Sequence, residues 1–411
     1  MNAVDVWLDE PRLADRRVIG RLYRSIARSG ETVRFEYSEA WLRHPQAFEI
    51  DPEARLNAGP QYASAGAGAL FGVFQDSSPD RWGKLLMDRR EAIEAREQGR
   101  PVRSLRAWDY FTGVDDSARM GALRLSDPGT QAFIANHPLS APPMTALRDL
   151  EAAAIKVEQG QGAQVDKWVR QLVAPGTTLG GARPKASFVD EQGGLWLAKF
   201  PSAEDRHDVG LWEFLARELS AAASIEVPEA KVLPLSRRGH TYAVRRFDRA
   251  DGHRWMYASA QSLLRMDSEG ASYLDLVQAI ESQGARGIVA TDLVQLFRRA
   301  VFNVLVGNRD DHLRNHGFLR ENTGWRLSPA FDVNPNPYKD AHVLALDERE
   351  STPDTKLLLQ NREFFRLGAD RAAQLVEQVR AAVRPWEARA KVLGIKRAEI
   401  ARLGAVIDPQ R

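Results

Sequence analysis

Residues 307–315 form a polar segment, Gly-Asn-Arg-Asp-Asp-His-Leu-Arg-Asn, at the end of a long apolar helical pattern. Within it, Asp310 and Asn315 are separated by four residues, and Asp332 follows in the motif Phe331-Asp332-Val333. In kinases, a catalytic aspartate, an asparagine that binds magnesium and an aspartate that binds magnesium follow one another in this order. The last of them lies after a segment long enough for a β-hairpin. The pattern therefore predicts a chain that transfers phosphate.

The composition is that of an ordinary globular protein. The 411 residues suffice for two or three domains with sizeable cores, and 44% of them are hydrophobic. A formal net charge of +2 is too small to predict direct DNA binding. The absence of cysteine excludes disulfides and thiolate metal sites. Because the opening segment is acidic and no apolar run reaches membrane-spanning length, we expect a cytoplasmic protein without membrane contact.

Short apolar runs with a period of two dominate the first third of the chain. They lie at residues 4–8, 32–37, 71–74 and 121–125. Such runs predict half-buried strands, so we expect a β-rich N-terminal subdomain over residues 1–140. A proline cluster marks its end, and Thr145 is the predicted N-cap of the helix that follows.

Residues 141–258 follow the element order of a kinase N-lobe. Strand patterns at 185–189 and 195–200 flank a turn-rich segment and predict a hairpin. A helix is predicted over residues 209–223, and a strand over residues 241–247.

Residues 259–411 carry helical patterns. Thr291 is the predicted cap of the helix that ends at Gly307, and further helices are predicted over 370–383 and 385–406. The predicted class is α+β, a protein-kinase-like two-lobed fold with a β-rich N-terminal subdomain and N-lobe and a helical C-lobe.

Phosphoryl transfer needs a group that accepts the hydroxyl proton and ligands for magnesium, and residues 307–332 offer a candidate for each. Asp310 would accept or orient the hydroxyl proton, with His312 beside it, and Asn315 and Asp332 would hold magnesium. The alternative is a charged loop that faces solvent. His312 and His316 lie four positions apart, as zinc ligands on a helix do, but the glutamate of a zinc-protease motif is missing.

Two further patterns indicate phosphate contacts. Lys199 closes an apolar strand and Glu213 lies in the next helix, as a nucleotide-binding lysine and its ion-pair partner would; the alternative is an edge lysine and a surface glutamate. Upstream, adjacent glycines precede Arg183 and Lys185, so backbone amides and positive charge could approach phosphate. The same segment would also suit a flexible turn.

These motifs together resemble the HipA family of bacterial serine/threonine kinases, toxins of type II toxin–antitoxin systems whose fold is similar to that of eukaryotic and lipid kinases. The resemblance covers nearly the whole chain. It rests on the segments at residues 76–83, 180–185, 246–249, 307–315 and 331–333.

The resemblance implies roles for individual residues. Asp310 would be the catalytic aspartate with His312 beside it, and Asn315 and Asp332 would bind Mg²⁺. Lys199 would contact the ATP phosphates and be supported by Glu213. The remaining residues of the implied ATP site are Gly180, Gly181, Ala182, Arg183, Lys185, Ala258, Ala260 and Phe331, of which Ala258 and Ala260 would meet adenine through backbone groups.

The resemblance also implies regulation and partners. Family members phosphorylate a serine before the nucleotide loop, and the corresponding position here is Thr178, with Thr177 beside it. The implied partner is a HipB-like helix-turn-helix antitoxin, so DNA contact would be indirect. The implied substrate is an aminoacyl-tRNA synthetase. A small-molecule kinase and a catalytically silent co-repressor are the alternatives to a protein kinase.

Overall fold

A computed structural model describes residues 2–27, 30–64, 70–135, 141–160, 165–173, 183–250, 252–408 and 410. The predicted nucleotide-loop residues Gly180, Gly181 and Ala182, and the predicted phosphorylation sites Thr177 and Thr178, lie outside the described residues.

The strands, in chain order, are β1 (Ala3–Leu8), β2 (Arg17–Ala27), β3 (Gly30–Tyr37), β4 (Gln61–Tyr62), β5 (Leu123–Ser126), β6 (Lys185–Val189), β7 (Leu195–Lys199), β8 (Ala230–Leu233), β9 (Thr241–Arg245), β10 (Arg249–Ala250), β11 (His253–Arg254), β12 (Tyr257–Ser259), β13 (Gly317–Glu321) and β14 (Gly324–Leu327).

The α-helices are α1 (Glu39–Leu42), α2 (Gly72–Asp76), α3 (Arg81–Glu97), α4 (Ala107–Gly113), α5 (Leu147–Gln159), α6 (Val165–Val173), α7 (Val209–Ala222), α8 (Ala260–Leu264), α9 (Tyr273–Gln283), α10 (Val289–Val306), α11 (Thr355–Gln360), α12 (Ala369–Val383), α13 (Trp386–Val392) and α14 (Arg397–Leu403). Short 3₁₀ turns lie at Met144–Ala146, Leu313–Asn315, Arg362–Phe365 and Gly404–Val406. Across the described ranges, every helix is too short or too polar to cross a bilayer.

Several sequence predictions are wrong in detail. Residues 71–74, predicted as a strand, lie at the start of helix α2, because a short apolar run does not distinguish strand from buried helix. Thr145 lies in a 3₁₀ turn, and Thr291 is the third residue of α10, so neither caps a helix. Helix α3 was missed because nine of its seventeen residues are charged. The predicted helix at 385–406 is divided into α13 and α14.

The chain forms two compact units, of which the first comprises Met1–Glu204 and Asp248–Ala258. Its main sheet is antiparallel with the order β4-β3-β2-β1-β5. An aromatic cluster packs against it, with ring centroids of Phe35 and Phe74 5.8 Å apart and those of Phe74 and Phe111 5.4 Å apart. Strands β6 and β7 form the predicted hairpin, in which Lys185 lies opposite Lys199. The predicted boundaries at residues 140 and 258 stay predictions.

A buried ion pair lies within this first unit. The Lys185 Nζ atom is 2.6 Å from the Asp80 Oδ2 atom, and the two side chains are 1% and 2% exposed. The other carboxylate oxygen of Asp80 accepts the N–H of Gly83 at 2.7 Å and so caps helix α3. Burial raises the pKa of Asp80, although the charge and hydrogen bond of Lys185 oppose that effect. Asp80 thus fixes a helix and a strand from one position.

The second unit comprises Asp205–Phe247 and Ser259–Arg411. Helix α10 is its central element and contacts α9, α11 and α12. The helix ends at Gly307, whose φ of 67° lies in the left-handed region. A Cβ atom at this position would lie 2.7 Å from the Val406 carbonyl oxygen, so only glycine fits.

The C-terminal helices fix helix α7, which carries Glu213. Arg389 forms a bidentate ion pair with Glu218 at 2.6 and 2.7 Å. The Glu399 carboxylate accepts the Trp212 indole N–H at 3.2 Å and the Asp208 amide N–H at 3.1 Å. The helix is therefore held at its N-terminus and along its length.

The buried pair predicts strong coupling between Asp80 and Lys185. Asp80→Asn keeps a capping oxygen but removes the negative charge that faces the buried Lys185 ammonium, which should lower the free energy of unfolding by about 3–5 kcal/mol. Asp80→Ala should cost about 1 kcal/mol more because the cap is also lost. Urea unfolding at pH 7 measures both.

A double-mutant cycle provides the control for this prediction. Asp80→Asn combined with Lys185→Met should recover most of the lost stability, since no unpaired charge remains. If the two single effects simply add, the side chains are not coupled and the prediction is wrong.

Candidate active site

The polar loop begins where α10 ends. Gly307 turns the chain, and the Asn308 amide N–H donates to the Asn303 carbonyl at 2.9 Å. Residues 313–315 form a 3₁₀ turn, in which the Asn315 N–H donates to the His312 carbonyl at 2.8 Å. The apolar pattern of α10 and the left-handed glycine therefore place residues 308–316 at the end of a buried helix.

Strands β13 and β14 return the chain to this loop. The Ser328 N–H donates to the Gly317 carbonyl at 2.8 Å, which closes the hairpin beside the loop. Further on, the Asn336 N–H donates to the Gly307 carbonyl at 2.9 Å. A narrow pocket joins the two segments, and its wall includes Arg299, Asn303, Asn315, His316, Phe331 and Val333. The residues on either side of Asp332 thus share a pocket with Asn315.

A buried hydrogen-bond network lies behind the loop. The Asp311 carboxylate accepts the Tyr273 hydroxyl at 2.5 Å and lies 2.8 Å from the His316 Nε2 atom. The Asn303 amide donates to the same hydroxyl at 2.9 Å, and the Asn308 amide donates to the Asn303 side chain at 3.1 Å. The sequence analysis assigned no role to Tyr273, Asn303 or Asp311, although a tyrosine and an asparagine in apolar helical patterns need buried partners.

Opposing effects act on the two acidic groups of this network. Burial acts to raise the pKa of Asp311, but the charge and hydrogen bond of His316, the Tyr273 hydroxyl and the charge of His312 outweigh it, so that this pKa is lowered. Burial, together with the neighbouring Asp311 charge, raises the pKa of Tyr273 well above its usual value. Asp311 is therefore the ionised member and Tyr273 the donor. The zinc interpretation assumed that His312 and His316 lie on one face of an α-helix, but His312 precedes the 3₁₀ turn at Leu313–Asn315 and His316 follows it, so that premise is wrong.

Asp310 and Asp311 are neighbours with opposite environments. The Asp310 side chain is 55% exposed and forms an ion pair with the Lys339 ammonium. His312 is half-buried at the start of the 3₁₀ turn. Lys339 was missed by sequence reasoning, because it lies 29 residues from Asp310 and no spacing rule connects the two.

Asp332 has an unusual backbone conformation. Its φ of 59° lies in the left-handed region, which aspartate tolerates better than most residues but at some cost. Phe331, directly before it, packs on Phe247 with ring centroids 5.4 Å apart. Strain of this kind persists only where the surroundings fix it, and it clusters at functional sites.

A buried tyrosine relates Asp332 to helix α7. Burial raises the pKa of Tyr242 on β9 well above its usual value, and the charges of Glu213 and Asp332 raise it further while Arg217 lowers it. Both carboxylates therefore lie within electrostatic reach of one phenol in the second unit. Glu213 itself is buried. Its predicted pairing with Lys199 stays a prediction.

The predicted role of Lys185 needs correction. Its ammonium is buried against Asp80, and its carbonyl oxygen accepts the Trp82 indole N–H at 3.1 Å. A paired ammonium with 1% exposure cannot reach a nucleotide phosphate, so Lys185 has a structural role in this conformation. Arg183 and Lys199 are half-buried at the same end of the hairpin, away from its turn, and their predicted phosphate contacts stay predictions.

The predicted adenine contact of Ala260 cannot use its amide N–H in this conformation. Ala260 begins helix α8, and its amide N–H donates to the His316 carbonyl at 2.8 Å, so that donor is used within the fold. Ala258 is buried in β12, and its predicted contact stays a prediction.

The motif at residues 246–249 has a structural role in its second half. The buried Asp248 carboxylate accepts the Gly121 amide N–H at 2.8 Å, and Arg249 donates to the Arg119 carbonyl at 2.6 Å. These bonds hold residues 248–258 against the N-terminal segment of the first unit.

The predicted magnesium ligands, Asn315 and Asp332, offer one amide and one carboxylate. Within the part of the chain that the structure describes, no cluster of three His, Asp or Glu side chains could hold a metal ion. Asn315 and Asp332 would thus need phosphate and water oxygens to complete an octahedral magnesium shell.

The chain is an α+β protein in which the loop after α10 carries an exposed aspartate, Asp310. The next residue, Asp311, is buried and bonded to Tyr273 and His316. The model of the HipA-like C-terminal domain matches residues 177–386, and the chain belongs to the HipA family.

The chain is also similar to two named relatives and to a solved structure. The chain is 27% identical to "Putative kinase Y4mE" of Sinorhizobium fredii over 366 residues, which cover 81% of this chain and 77% of that protein. It is 27% identical to "Putative kinase Y4dM" of the same organism over 230 residues, 49% of this chain and 54% of that protein. HipA of Shewanella oneidensis MR-1, solved with HipB and operator DNA, matches with a TM-score of 0.66 and 16% identity over 98% of this chain and 94% of that chain. This likeness confirms the predicted α+β, protein-kinase-like fold.

The Asp311 network predicts a pH-dependent stability. Asp311→Asn should lower the free energy of unfolding at pH 7 by about 3–5 kcal/mol, because His316 and Tyr273 lose a buried anion. The pKa of Asp311 is lowered on folding, so its contribution is complete above the unfolded value of about 3.9 and is lost as pH falls through the folded value. Urea unfolding from pH 7 to pH 3 should therefore show a shrinking difference between the proteins.

The adjacent carboxylate is the control for this experiment. Asp310→Asn removes an exposed charge and should change stability by no more than about 0.5 kcal/mol at any pH. Equal effects at the two positions would contradict the buried network.

The conformation of Asp332 predicts an unusual order of stability. Asp332→Gly should be more stable than Asp332→Ala by about 1 kcal/mol, because both lose the carboxylate and only glycine adopts a φ of 59° without strain. Thermal unfolding of the two variants measures the difference. At exposed Asp340, whose φ is outside the left-handed region, alanine should be equal to or better than glycine. The same order at both positions would refute the strain.

Proposed function

We propose that this chain is an ATP-dependent serine/threonine protein kinase and the toxin of a type II toxin–antitoxin system. The observation that carries the proposal is the loop at residues 307–316, in which Asp310 is exposed while Asp311 is bound from inside. Phe331 and Val333, on either side of Asp332, line a pocket together with Asn315, and Asp332 is the proposed second carboxylate. Two relatives with kinase in their names support phosphoryl transfer.

The side chains at the loop fit a magnesium-bound nucleotide. Magnesium is usually held by one or two protein oxygen ligands together with substrate phosphates. The Asn315 carboxamide lines the pocket and makes no hydrogen bond to another described residue, and Asp332 offers a carboxylate oxygen. When bound, Mg²⁺–ATP supplies the phosphoryl group and part of the neutralising charge. Asn315 and Asp332 are the proposed ligands.

Asp310 is the proposed catalytic base. Its exposed carboxylate would accept the acceptor hydroxyl's proton, and a half-exposed position leaves room for a protein substrate. His312 is proposed to order the loop, since its charge acts on Asp311 and its carbonyl accepts the Asn315 N–H.

The remaining ATP contacts follow the family pattern. Lys199 is proposed to contact the phosphates and Glu213 to support Lys199. Thr178 or Thr177 is the proposed autophosphorylation site, where a dianion would act on nearby Arg183. The other proposed nucleotide contacts are Gly180, Gly181, Ala182, Ala258 and Phe331.

The proposed partner is a HipB-like helix-turn-helix antitoxin. The HipA chain from Shewanella oneidensis was solved with HipB and operator DNA, which supports a partner of this kind. The near-neutral formal charge of +2 agrees with DNA contact through the partner alone. The proposed substrate is a translation component such as an aminoacyl-tRNA synthetase.

Loss of either carboxylate tests the function. The purified chain, incubated with Mg²⁺, ATP labelled at the γ-phosphate and a bacterial lysate, should label a protein band. Asp310→Ala and Asp332→Ala should each lower the labelling rate by about 100-fold or more, because charge stabilisation and proton acceptance are lost. Exposed Asp370→Ala on α12 should leave the rate unchanged.

The class of product decides between functions. A labelled metabolite in place of a protein would indicate a small-molecule kinase, and no label at all would indicate a silent binding protein. Expression of the wild type should arrest growth, and Asp310→Ala should abolish the arrest. Arrest that persists in Asp310→Ala and Asp332→Ala would contradict toxicity through catalysis.

A further inference from the structure

Lys339 contacts the proposed catalytic base. Its Nζ atom forms an ion pair with the Asp310 Oδ1 atom, and among the described residues this is the cation paired with Asp310. We propose that Lys339 is a catalytic residue, whose ammonium group moves from Asp310 to the phosphoryl group during its transfer. This inference rests on the proposed function and adds a cation to it.

The backbone around Lys339 is fixed against the loop. Arg309, whose exposure is 7%, donates from its guanidinium to the Lys339 carbonyl oxygen. The Asn336 N–H donates to the Gly307 carbonyl at 2.9 Å, and the Val343 N–H donates to the Arg309 carbonyl at 3.2 Å. These bonds fix the backbone on both sides of Lys339 beside the loop, and its flexible side chain reaches Asp310 from there.

The conformation of this segment is restricted by its sequence. Pro335 and Pro337 flank Asn336, and proline fixes its own φ near −65°. The Asn336 side chain also accepts the Tyr338 N–H at 2.9 Å. Few conformations remain for residues 335–338, so little entropy is lost when Lys339 is presented at the loop.

The exposure of the pair allows it to separate. The side chains of Lys339 and Asp310 are 41% and 55% exposed, and water screens pairs of this kind, so they add little stability. Lysine carries a compact charge on a flexible stem, which can move several ångströms without backbone motion. An acceptor hydroxyl that approaches Asp310 would therefore displace the ammonium at little cost.

The Lys339 ammonium, once displaced from Asp310, can neutralise negative charge on the phosphoryl group during the transfer. In the transfer, the acceptor oxygen forms a bond to the γ-phosphorus, and the bond from that phosphorus to the bridging oxygen breaks, with the electron pair leaving on ADP. The hydroxyl proton passes to the Asp310 carboxylate. Lys339 keeps all its protons and neutralises negative charge on the phosphoryl oxygens. Arg309 cannot serve instead, because its guanidinium is buried against backbone.

Charge-removing and charge-keeping variants test the proposal. Lys339→Met should lower kcat for transfer from ATP to dephosphorylated casein, and to water, by about 100-fold, the effect of losing one charge-stabilising donor. Lys339→Arg should retain activity within about 10-fold of wild type, because a cation remains on a long stem. The KM for ATP should change less than twofold, since the contact forms only during transfer.

Two controls separate chemistry from folding and binding. Lys356→Met, at an exposed lysine on α11, should leave kcat unchanged. Binding of a fluorescent ATP analogue with Mg²⁺, and the thermal unfolding midpoint, should match wild type for every variant.

Each remaining outcome counts against the proposal. A Lys339→Met protein with kcat within twofold of wild type would show that the ion pair is incidental. A higher kcat would show that Lys339 blocks Asp310 instead of assisting transfer. A raised KM with unchanged kcat would assign Lys339 to binding. Wild-type protein that transfers phosphate to neither casein nor water would overturn the proposed function itself, and this inference with it.

Discussion

The buried charge of Asp311 is the constraint on which the candidate site depends. A carboxylate removed from water is costly unless charge and hydrogen bonds compensate it, and here His316 and Tyr273 do so. Tyr273 is held by Asn303 in α10, and Asn303 also binds Asn308. These bonds connect the loop to α9 and α10. With Asp311 held inside, its neighbour Asp310 is left exposed at the surface.

Residues near the C-terminus hold two other parts of the candidate site in place, helix α7 and the start of the loop. Arg389 and Glu399 hold helix α7, which carries Glu213. Val406 packs where Gly307 has no side chain, and the Asp408 N–H donates to the Leu305 carbonyl at 2.9 Å. The matched family domain ends at residue 386. The geometry of helix α7 and of the loop start therefore depends on residues beyond the matched domain.

The sequence was most informative where chemistry depends on short spacing. Asp310, Asn315 and Asp332 could be proposed from the sequence because a loop and a hairpin fix their separation along the chain. Lys339 and Asp80 could not, because their partners lie 29 and 105 residues away and only tertiary structure brings them together. The bond from the Ala260 N–H to the His316 carbonyl could not be predicted for a related reason, because backbone groups carry no sequence signal.

The pair of Asp80 and Lys185 also affects the lysine proposed to contact phosphate. Lys185 and Lys199 lie directly opposite each other in the β6–β7 hairpin, and directly opposed residues share one face of a sheet. Two ammonium groups in this register would repel and destabilise the hairpin. Asp80 supplies a negative charge to Lys185 within the first unit, which offsets this repulsion. The segment at residues 76–83 thereby provides the counter-charge of the residue directly opposite Lys199.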